Sequence, residues 1–408
     1  VIRTVKIIET RFELGGNYYL DIVQYVYYKT ENMIVDPLNR TTQAMSVTVI
    51  ENYTGVFGNQ IIDKFPTTIQ KEYKIAKDGK VITVRAFYEP GLDIPLAIQF
   101  NYKEEEKGKR LLNVIENYEN GILTFTQKTW KALEEVKNPI TGESQGRRLV
   151  TYTKTIEPGL EVYPSLNRSW KNIENIKEIA TLITYSLNYD YGSLVPTSFT
   201  VSYRALEDDG VVYSYIYNYE LGIHAGYQKI HKEIGIRGDE DDKLIIVTVN
   251  SEFGKETSTQ RIRKEISILA KPVFPHLTVY TIIKTFELDV LTNTQKIHKE
   301  VGTEGEERGK LITVTVNSEL NIETFIQRSY KVKEDGNIVQ VTRFLEFGIE
   351  TSIQKVGKKI SIQESDRQII TLYTIVSTYE FGILTQTQKI SKEVERINGV
   401  DTLVTVTV

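Results

Sequence analysis

Histidines are the residues best suited to metal chemistry in this chain, because it contains no cysteine. His231 and His298 occupy the same position in two copies of Lys-Ile-His-Lys-Glu. Other copies of this segment carry Arg263 or Ser391 in that column, and no carboxylate accompanies each histidine at ligand spacing. We therefore interpret the two histidines as solvent-facing strand residues, with a metal site as the alternative. The lack of cysteine also excludes disulfides and thiolate metal sites.

A second candidate for chemistry is the acidic segment that runs from residue 237 to residue 242. Its first three residues form an Arg-Gly-Asp tripeptide, which resembles the integrin-binding motif, and its carboxylates are ligands that Ca²⁺ prefers. Their spacing does not match an EF-hand loop, so an acidic, solvated turn is the favoured interpretation. We keep the segment as a possible binding loop for a glycan or protein receptor, comprising Arg237, Gly238, Asp239, Glu240, Asp241 and Asp242.

An acidic residue recurs along the chain in the pattern Glu-x-Gly or a close variant. Paired carboxylates can act as general acid and base, but an active site is normally built once, whereas this column repeats in nearly every unit. The acids are better explained as turn caps that accept backbone N–H bonds. We find no catalytic constellation and predict a non-enzymatic protein without a cofactor. The column consists of Glu13, Glu89, Glu119, Glu157, Asp190, Glu220, Glu252, Glu287, Glu319, Glu346 and Glu380.

The residue two positions after each acid indicates the conformation of these turns. It is usually glycine, and the two exceptions are aspartate and asparagine, which tolerate a left-handed backbone. We therefore predict a positive φ at this position. Proline at the middle position, as in Pro90 and Pro158, fits the second residue of a type I or II turn. The predicted structural turns are marked by Gly15, Gly91, Gly121, Gly159, Gly192, Gly222, Gly254, Asp289, Asn321, Gly348 and Gly382.

Four alternating tyrosines, Tyr213, Tyr215, Tyr217 and Tyr219, share one face of a predicted strand. An aromatic ladder of this kind can bind a sugar. Tyrosines in strands more often pack against neighbouring strands, and we favour that structural role.

Three asparagines, Asn39, Asn52 and Asn167, begin N-glycosylation sequons. Such sequons are frequent by chance and carry sugar only in a glycosylating host, so they give weak evidence about location.

Composition limits the class of function. A formal net charge of −4, from 50 basic and 54 acidic side chains, gives no basic surface of the kind that binds nucleic acid, so we predict no nucleic-acid partner. No apolar run reaches the roughly 18 to 20 residues of a membrane-spanning helix. The chain begins directly with strand-like sequence, without Met or a signal-peptide pattern, so we expect a processed product or the ordered part of something longer.

These residues are positioned by a repeated pair of β-strands. In the segment that starts at Leu311, Ile312, Val314 and Val316 alternate with threonines, which is the period of a half-buried strand. In the following run, Ile322, Ile326, Tyr330 and Val332 are predicted to share one face with Thr324 and Arg328. Copies recur at about 27 to 38 residues, the self-similarity of a repeat array. We predict an all-β fold of about twelve tandem antiparallel hairpins in an elongated sheet or solenoid-like array.

Three regions differ in how regular the repeat is. Residues 1–43 form an N-terminal half-unit and possible cap, residues 44–181 hold diverged hairpins with longer loops, and residues 182–408 hold regular hairpins that end in an unpaired strand. That strand, Leu403–Val408, is predicted to pair within the chain or with another subunit.

The two ends of each hairpin unit differ. One end carries the uniform Glu-x-Gly turn, and the other carries return turns of variable length. Asp78-Gly79, Asp209-Gly210 and Asp335-Gly336 are short hairpin signals, while longer acidic loops start at Gly235 and Gly302. We therefore expect the variable loops to gather at one edge of the sheet, where function most often lies.

The punctuation Tyr217-Asn218-Tyr219-Glu220-Leu221-Gly222 and Tyr189-Asp190-Tyr191-Gly192 resembles that of YD-repeat (Rhs-type) proteins. More broadly, the chain resembles repetitive β-structured fibre and stalk proteins of virions and bacterial surfaces. The resemblance implies a non-enzymatic structural subunit that is extracellular, on a cell surface or in a virion, and a single apolar sheet face favours a homo-oligomer. The alternative is a surface adhesin that binds its receptor through the variable acidic loops.

Overall fold

The structure of the chain is a computed structural model. It describes residues 3–14, 17–53, 56–57, 60–61, 66–92, 94–106, 110–160, 165–176, 179–190, 196–220, 223–236, 238–241, 243–252, 255–269, 276–319, 322–363, 369–380, 382–397 and 400–408. Almost all of these residues lie in β-strands, because runs of Val, Ile, Thr and Tyr alternate with polar residues and are separated by turn residues.

The strands follow one another along the chain. They are β1 (Arg3–Leu14), β2 (Asn17–Asp36), β3 (Thr41–Tyr53), β4 (Val56–Phe57), β5 (Gln60–Ile61), β6 (Thr68–Lys77), β7 (Lys80–Tyr88), β8 (Ala97–Glu106), β9 (Arg110–Glu119), β10 (Ile122–Lys137), β11 (Ser144–Ile156), β12 (Ser165–Ile176), β13 (Ile179–Asp190) and β14 (Ser198–Leu206). The remainder are β15 (Val212–Glu220), β16 (Ile223–Ile234), β17 (Leu244–Glu252), β18 (Lys255–Leu269), β19 (His276–Glu287), β20 (Val290–Val301), β21 (Leu311–Glu319), β22 (Ile322–Glu334), β23 (Asn337–Glu346), β24 (Ile349–Gln363), β25 (Ile369–Glu380), β26 (Ile383–Ile397) and β27 (Val400–Thr407). Two short 3₁₀ turns, Gly238–Glu240 and Gly305–Glu307, interrupt the longer return loops.

All strands except β4 and β5 belong to one 25-stranded antiparallel sheet, in which each strand pairs with the next one along the chain. This arrangement confirms the predicted all-β array of tandem hairpins. The positions 43/44 and 181/182 lie inside β3 and β13, so the sheet continues across both region boundaries. The final strand β27 pairs along one edge with β26, so the last strand has a partner within the chain on that side.

Consecutive hairpins separate at one edge of the sheet. At the edge that carries the Glu-x-Gly turns, called here the turn edge, the strands between β1 and β27 in the sheet pair with both neighbours. Toward the opposite return edge, β13 and β14 stay paired only from Thr184–Ser202 to Asn188–Ser198, whereas β12 and β13 stay paired along their full length. The return edge is therefore divided into two-stranded return hairpins with wedge-shaped clefts between them.

Apolar side chains gather on one face in several clusters. One cluster contains Ile312 and Val314 of β21 together with Tyr330 of β22 and Val341 of β23, all nearly inaccessible to water. Ile326 and Val332 pack against it, as the alternation predicts, but Ile322 is largely exposed. A β-bulge between Ile322 and Ile326 shifts the alternation by one residue, which the sequence pattern did not reveal.

The sheet coils, so that the turn edge of one part of the chain contacts the return edge of another. Residues that are hydrogen-bonded to each other across this junction are 191, 201 and 212 residues apart in the chain. The solvent-accessible surface is 24256 Å², whereas a compact monomer of this mass has about 16,000 Å². The fold is thus an open, coiled sheet rather than a compact domain.

Candidate functional site

The turn column adopts the left-handed backbone that its residue types require. The predicted positions with described coordinates have φ of 85° at Gly91, 77° at Gly121, 82° at Gly159, 64° at Asp289, 78° at Gly348 and 78° at Gly382. The other five, Gly15, Gly192, Gly222, Gly254 and Asn321, lie outside the described residues.

Where no proline is present, the residue at the middle position of the turn is left-handed as well. Asn120, Leu288 and Phe347, at the middle position, also have positive φ of 54°, 49° and 50°. Positive φ at both central residues of a two-residue hairpin loop is the signature of a type I′ turn, whose twist matches that of the strands. Proline cannot adopt a positive φ, so Pro90 and Pro158 impose a different turn, in which only the glycine is left-handed.

A recurring threonine makes a bulge in the second strand of most units, a role that was not predicted. Thr324 is skipped in the pairing of β21 with β22, and its hydroxyl donates to the carbonyl oxygen of Asn317 at 3.2 Å. The same bond joins a threonine to the carbonyl seven residues earlier at Thr124, Thr257, Thr292, Thr351 and Thr385. Recurrence of threonine three residues before the glutamine of each unit was the available signal.

The acidic segment 237–242 folds back over the sheet instead of projecting into water. Arg237 and Asp242 lie outside the described residues, Gly238 has a φ of 63°, and Asp241 is exposed. Glu240, however, is buried and accepts hydrogen bonds from Arg261 of β18, with Nε–Oε2 at 2.9 Å. The interpretation as a solvated turn is therefore wrong for Glu240, because arginines on the sheet face compensate its charge.

Asp239 of the same loop bridges two further cations. Its carboxylate oxygens lie 2.6 Å from Arg263 Nη2 and 2.7 Å from Lys284 Nζ. The hydrogen bond from Lys284 and the nearby positive charges hold the pKa of Asp239 below its usual value, despite some desolvation. The aspartate of the Arg-Gly-Asp tripeptide is thus engaged within the chain.

An equivalent loop recurs 67 residues later. Glu307 is buried there, and both of its oxygens accept hydrogen bonds from Arg328 Nε and from the guanidinium groups of Arg328 and Arg343. Burial opposes ionisation of Glu307, but the bonds and charges of the two arginines outweigh it and lower the pKa. Gly235 and Gly302 are required at the starts of the two loops, because an added Cβ would collide with the carbonyl oxygen of Glu240 or Glu307.

The two histidines belong to the same repeated network and are not solvent-facing. His231 Nε2 lies 3.4 Å from Glu233, and His298 Nε2 lies 3.5 Å from Glu300, with both imidazoles mostly covered. Each packs against a tyrosine of the neighbouring strand, with ring centroids 5.0 Å apart. Burial lowers the pKa of His298, despite the attraction of Glu300 for the charged form. Each glutamate lies two residues beyond its histidine on the same strand, a spacing that puts both side chains on one face of the sheet.

The alternating tyrosines form a packed aromatic ladder. Tyr213 and Tyr215 are buried, and Tyr215 stacks on Tyr203 of the adjacent strand with ring centroids 5.1 Å apart. Tyr217 stacks on Tyr227 of β16 at 5.6 Å. Burial and the hydrogen bond to Asp209 raise the pKa of Tyr213 to about 12. These contacts are those of cross-strand packing.

Two of the three sequons lie in a polar ladder of the sheet. Asn52 accepts from Gln24 and donates to Thr68, both at 2.8 Å, and Asn167 donates to Ser186 and Asn188. Because their amide groups are engaged between strands, attachment of a glycan would break these bonds. Asn39 lies in an exposed turn.

Turns of the first half of the chain dock into clefts of the second half. The turn Glu119-Asn120-Gly121 enters the cleft between β21 and β22. Asn120 Oδ1 accepts a 2.6 Å bond from the Leu311 amide, and Glu119 forms an ion pair with Lys331 Nζ at 3.0 Å. The Asn120 side chain thereby satisfies backbone groups that β22 leaves unpaired.

A second turn docks in the same way, one unit further along. The turn at Glu157–Gly159 enters the cleft between β23 and β24, where Glu157 pairs with Lys358. An added Cβ on Gly159 would lie 2.7 Å from the carbonyl oxygen of Gly336, so only glycine fits. A carboxylate from the turn and a lysine from the second strand of the cleft are common to both sites.

No chemical centre emerges from the described part of the chain. It holds no group of three His, Asp or Glu side chains suited to a metal ion, and no helix with the length and apolar character needed to cross a membrane. The glutamates of the two docked turns, the buried glutamates of the two folded loops, the two histidines and the alternating tyrosines bind other residues of the same chain. No protein-family model matches this chain, and a search of curated proteins found no match either.

Proposed function

We propose that this protein is a non-catalytic structural subunit of a fibre, stalk or filament that is extracellular, on a cell surface or in a virion. The supporting observation is the use of the recurring polar residues. The turn acids Glu119 and Glu157, the bulge threonines, the buried loop glutamates and the two histidines bind neighbouring strands or the adjacent coil, as in Glu119–Lys331 and Glu307–Arg328. Residues that a binding or catalytic site would present to a ligand are instead used to fix the array.

The architecture suits a load-bearing or spacing element. Each return hairpin contacts its neighbours, and two of the clefts between hairpins hold a turn of the adjacent coil, so stability is distributed along the sheet as in other repeat proteins. We further propose that copies of the chain associate. The edge of β27 that faces away from β26 has no strand beside it among the described residues, and its Leu403–Val408 segment offers one row of backbone groups for pairing with another copy.

Electron microscopy of the purified chain, with the mass in solution measured on the same sample, tests this proposal. We expect rods or filaments whose mass is a multiple of 46.8 kDa. A monomer at all concentrations would contradict the proposed assembly, and a substrate turned over by the purified chain would contradict the non-catalytic role.

The adhesin alternative depends on the variable return loops. In that case the exposed Asp241 and the loop around it would contact a glycan or protein receptor, although Asp239 and Glu240 already bind cations of the sheet. Asp241→Arg, at an exposed residue of the loop outside the Asp239 and Glu240 ion pairs, should abolish receptor binding if the alternative holds. It should leave rods intact if the structural proposal holds.

A further inference from the structure

An open cleft separates the return hairpin β12–β13 from the return hairpin β14–β15. The strands β13 and β14 diverge after the pair Thr184–Ser202 and leave a groove of about 1060 Å³. Ile179, Leu182 and Leu206 line it and are 65%, 53% and 59% exposed. No described turn of the chain occupies this groove.

The open cleft begins with the same residue types as the cleft that receives Asn120. Leu182-Ile183-Thr184 on its first strand matches Leu311-Ile312-Thr313, and both clefts begin at a Thr–Ser pair. In the filled cleft, Leu311 is partly covered and its backbone is bonded to Asn120. The equivalent Leu182 is exposed, and nothing described covers it.

The charge that recognises the turn is also present. Lys331, which binds Glu119, lies two residues beyond Ser329, the last residue paired with β21. Arg204 lies two residues beyond Ser202 in the same way, is exposed, and has no ion pair among the described residues. An arginine at this position can bind the carboxylate of a turn with two parallel hydrogen bonds.

The matching turns lie along the second half of the chain and are not docked. Leu288 and Phe347, at the centres of two Glu-x-Gly-type turns, are 93% and 91% exposed. The residues that follow the turns, Val290, Ile322, Ile349 and Ile383, are exposed as well. A row of apolar tips beside carboxylates marks an interaction surface rather than an ordinary water-facing edge.

The order of docking excludes these turns as occupants of the open cleft in their own molecule. The turn between β9 and β10 enters the cleft between β21 and β22, and the turn between β11 and β12 enters the next cleft, between β23 and β24. Each turn therefore meets a cleft one coil further along the chain. The turns at Leu288 and Phe347 lie after the open cleft in sequence. They are therefore not placed one coil before that cleft in the same molecule, as the docked turns are.

We propose that the cleft between β13 and β14 receives a Glu-Leu or Glu-Phe turn from the second half of another copy of this chain. The leucine or phenylalanine enters the groove beside Leu182 and Leu206, and the glutamate binds Arg204. The contact repeats between molecules the docking that joins the two halves within one molecule. Because cleft and turns lie on different surfaces, it adds copies head to tail and produces an open filament. This inference rests on the proposed structural function and supplies its partner and contact.

Sedimentation velocity over a range of concentrations tests the charge at the cleft. Arg204→Glu should weaken self-association at least tenfold, because it places two carboxylates together. The matched control Arg147→Glu, at an exposed arginine of β11, should change it less than twofold. Equal self-association of wild type and Arg204→Glu would overturn the proposed contact at the cleft without contradicting the structural function. A wild-type chain that stays monomeric would overturn both.

Cross-linking tests the contact directly, since the chain has no cysteine of its own. Chains with Leu206→Cys are mixed with chains that carry one cysteine at residue 221, 253, 288, 320, 347 or 381, and a short bismaleimide is added. We expect cross-linked dimers for at least one of the six turns and none with the control Val81→Cys, on an exposed return-edge residue. Absence of dimers for all six, under conditions where the wild type assembles, would overturn the proposal.

Discussion

At the turn edge, two bulky residues hold a strained backbone conformation. Leu288 and Phe347 hold positive φ, which asparagine and glycine adopt readily but bulky side chains adopt at a cost. Their side chains make almost no contact within the molecule, so intramolecular packing does not compensate the strain. Strain of this kind indicates a use of the residue outside the folding of its own chain.

We expect Gly348→Val to destabilise the chain by about 1 to 3 kcal/mol. An added Cβ meets open space there, so the cost comes from the φ of 78° alone. Gly348→Asn should cost less, because asparagine tolerates the left-handed conformation. Chemical denaturation of the two variants and the wild type provides the comparison. Equal stability of Gly348→Val and wild type would show that the turn is not left-handed.

At the scale of a strand and its loop, side-chain hydrogen bonds and ion pairs hold the bulges and return loops, which backbone strand pairing does not hold. In most units a bulge threonine bends the second strand and anchors the bend to the partner strand, and in two units a folded-back loop covers part of the sheet face. In both loops an arginine joins a strand glutamate to a loop glutamate, as in Glu300–Arg328–Glu307. The return loops are therefore parts of the core.

Replacing a bulge threonine by an isosteric apolar residue tests its hydrogen bond. Thr324→Val should destabilise the chain by about 1 kcal/mol, because the carbonyl oxygen of Asn317 loses its hydroxyl donor. Thr324→Ser retains the donor and should recover most of the loss. If thermal unfolding gives the same midpoint for valine and serine, the bond has no role in stability.

The ion pairs of Glu307 with Arg328 and Arg343, called here the loop clamp, predict that the stability of the chain depends on pH. The pKa of Glu307 is lowered in the folded chain from its ordinary 4.5, so its stabilising effect is complete above that pH and is lost as the pH falls through the folded value. Glu307→Gln should cost about 2 kcal/mol at pH 7, since two arginines lose a carboxylate partner. Below pH 4.5 the melting temperatures of variant and wild type should converge.

Glu306→Gln is the matched control for this measurement. Glu306 is the adjacent acid, is exposed, and contacts only Tyr330 at 3.4 Å among the described residues. Its replacement should leave the acid dependence of the melting temperature as in the wild type. A parallel offset between Glu307→Gln and wild type from pH 3 to pH 7 would contradict the clamp.

At the scale of the whole molecule, the sheet is closed by contact between its edges and not by strand pairing. Turns of one coil fill the clefts of the next, and the residues involved come from units about half a chain apart. A cleft exists because neighbouring hairpins separate at the return edge, and a turn satisfies the backbone groups exposed there. Because the coil closes in this way, an open cleft remains on one side of it and exposed turns remain on the other.

Removing the amide of Asn120 should loosen the coil without disturbing its turn. Asn120→Gly keeps the positive φ but loses both bonds to Leu311, so hydrogen exchange at the Leu311 amide should accelerate by about tenfold or more. The Val316 amide, deeper in β21, serves as the internal reference and should not change. Unaltered exchange at both positions would show that the contact does not hold the coil.

The sequence alone determined the local architecture of this protein. Alternating apolar residues and recurring turn residues predicted the hairpins, their number and the positive φ of Gly348 and Asp289, because these properties depend on neighbours in the chain. The structural role of the tyrosines at 213 to 219 was also favoured, since alternation places them on one face.

Tertiary structure decided everything that depends on distant residues. The burial of Glu240 and Glu307 and the packing of His231 on Tyr213 arise when loops and neighbouring strands pack together, and the docking of Asn120 against Leu311 arises only after the hairpins separate and the sheet coils. No local pattern encodes the angle between successive hairpins, because it results from twist and bulges summed over many strands. That sum brings the turns to the clefts, and it places the open cleft and the exposed turns on different surfaces of the molecule.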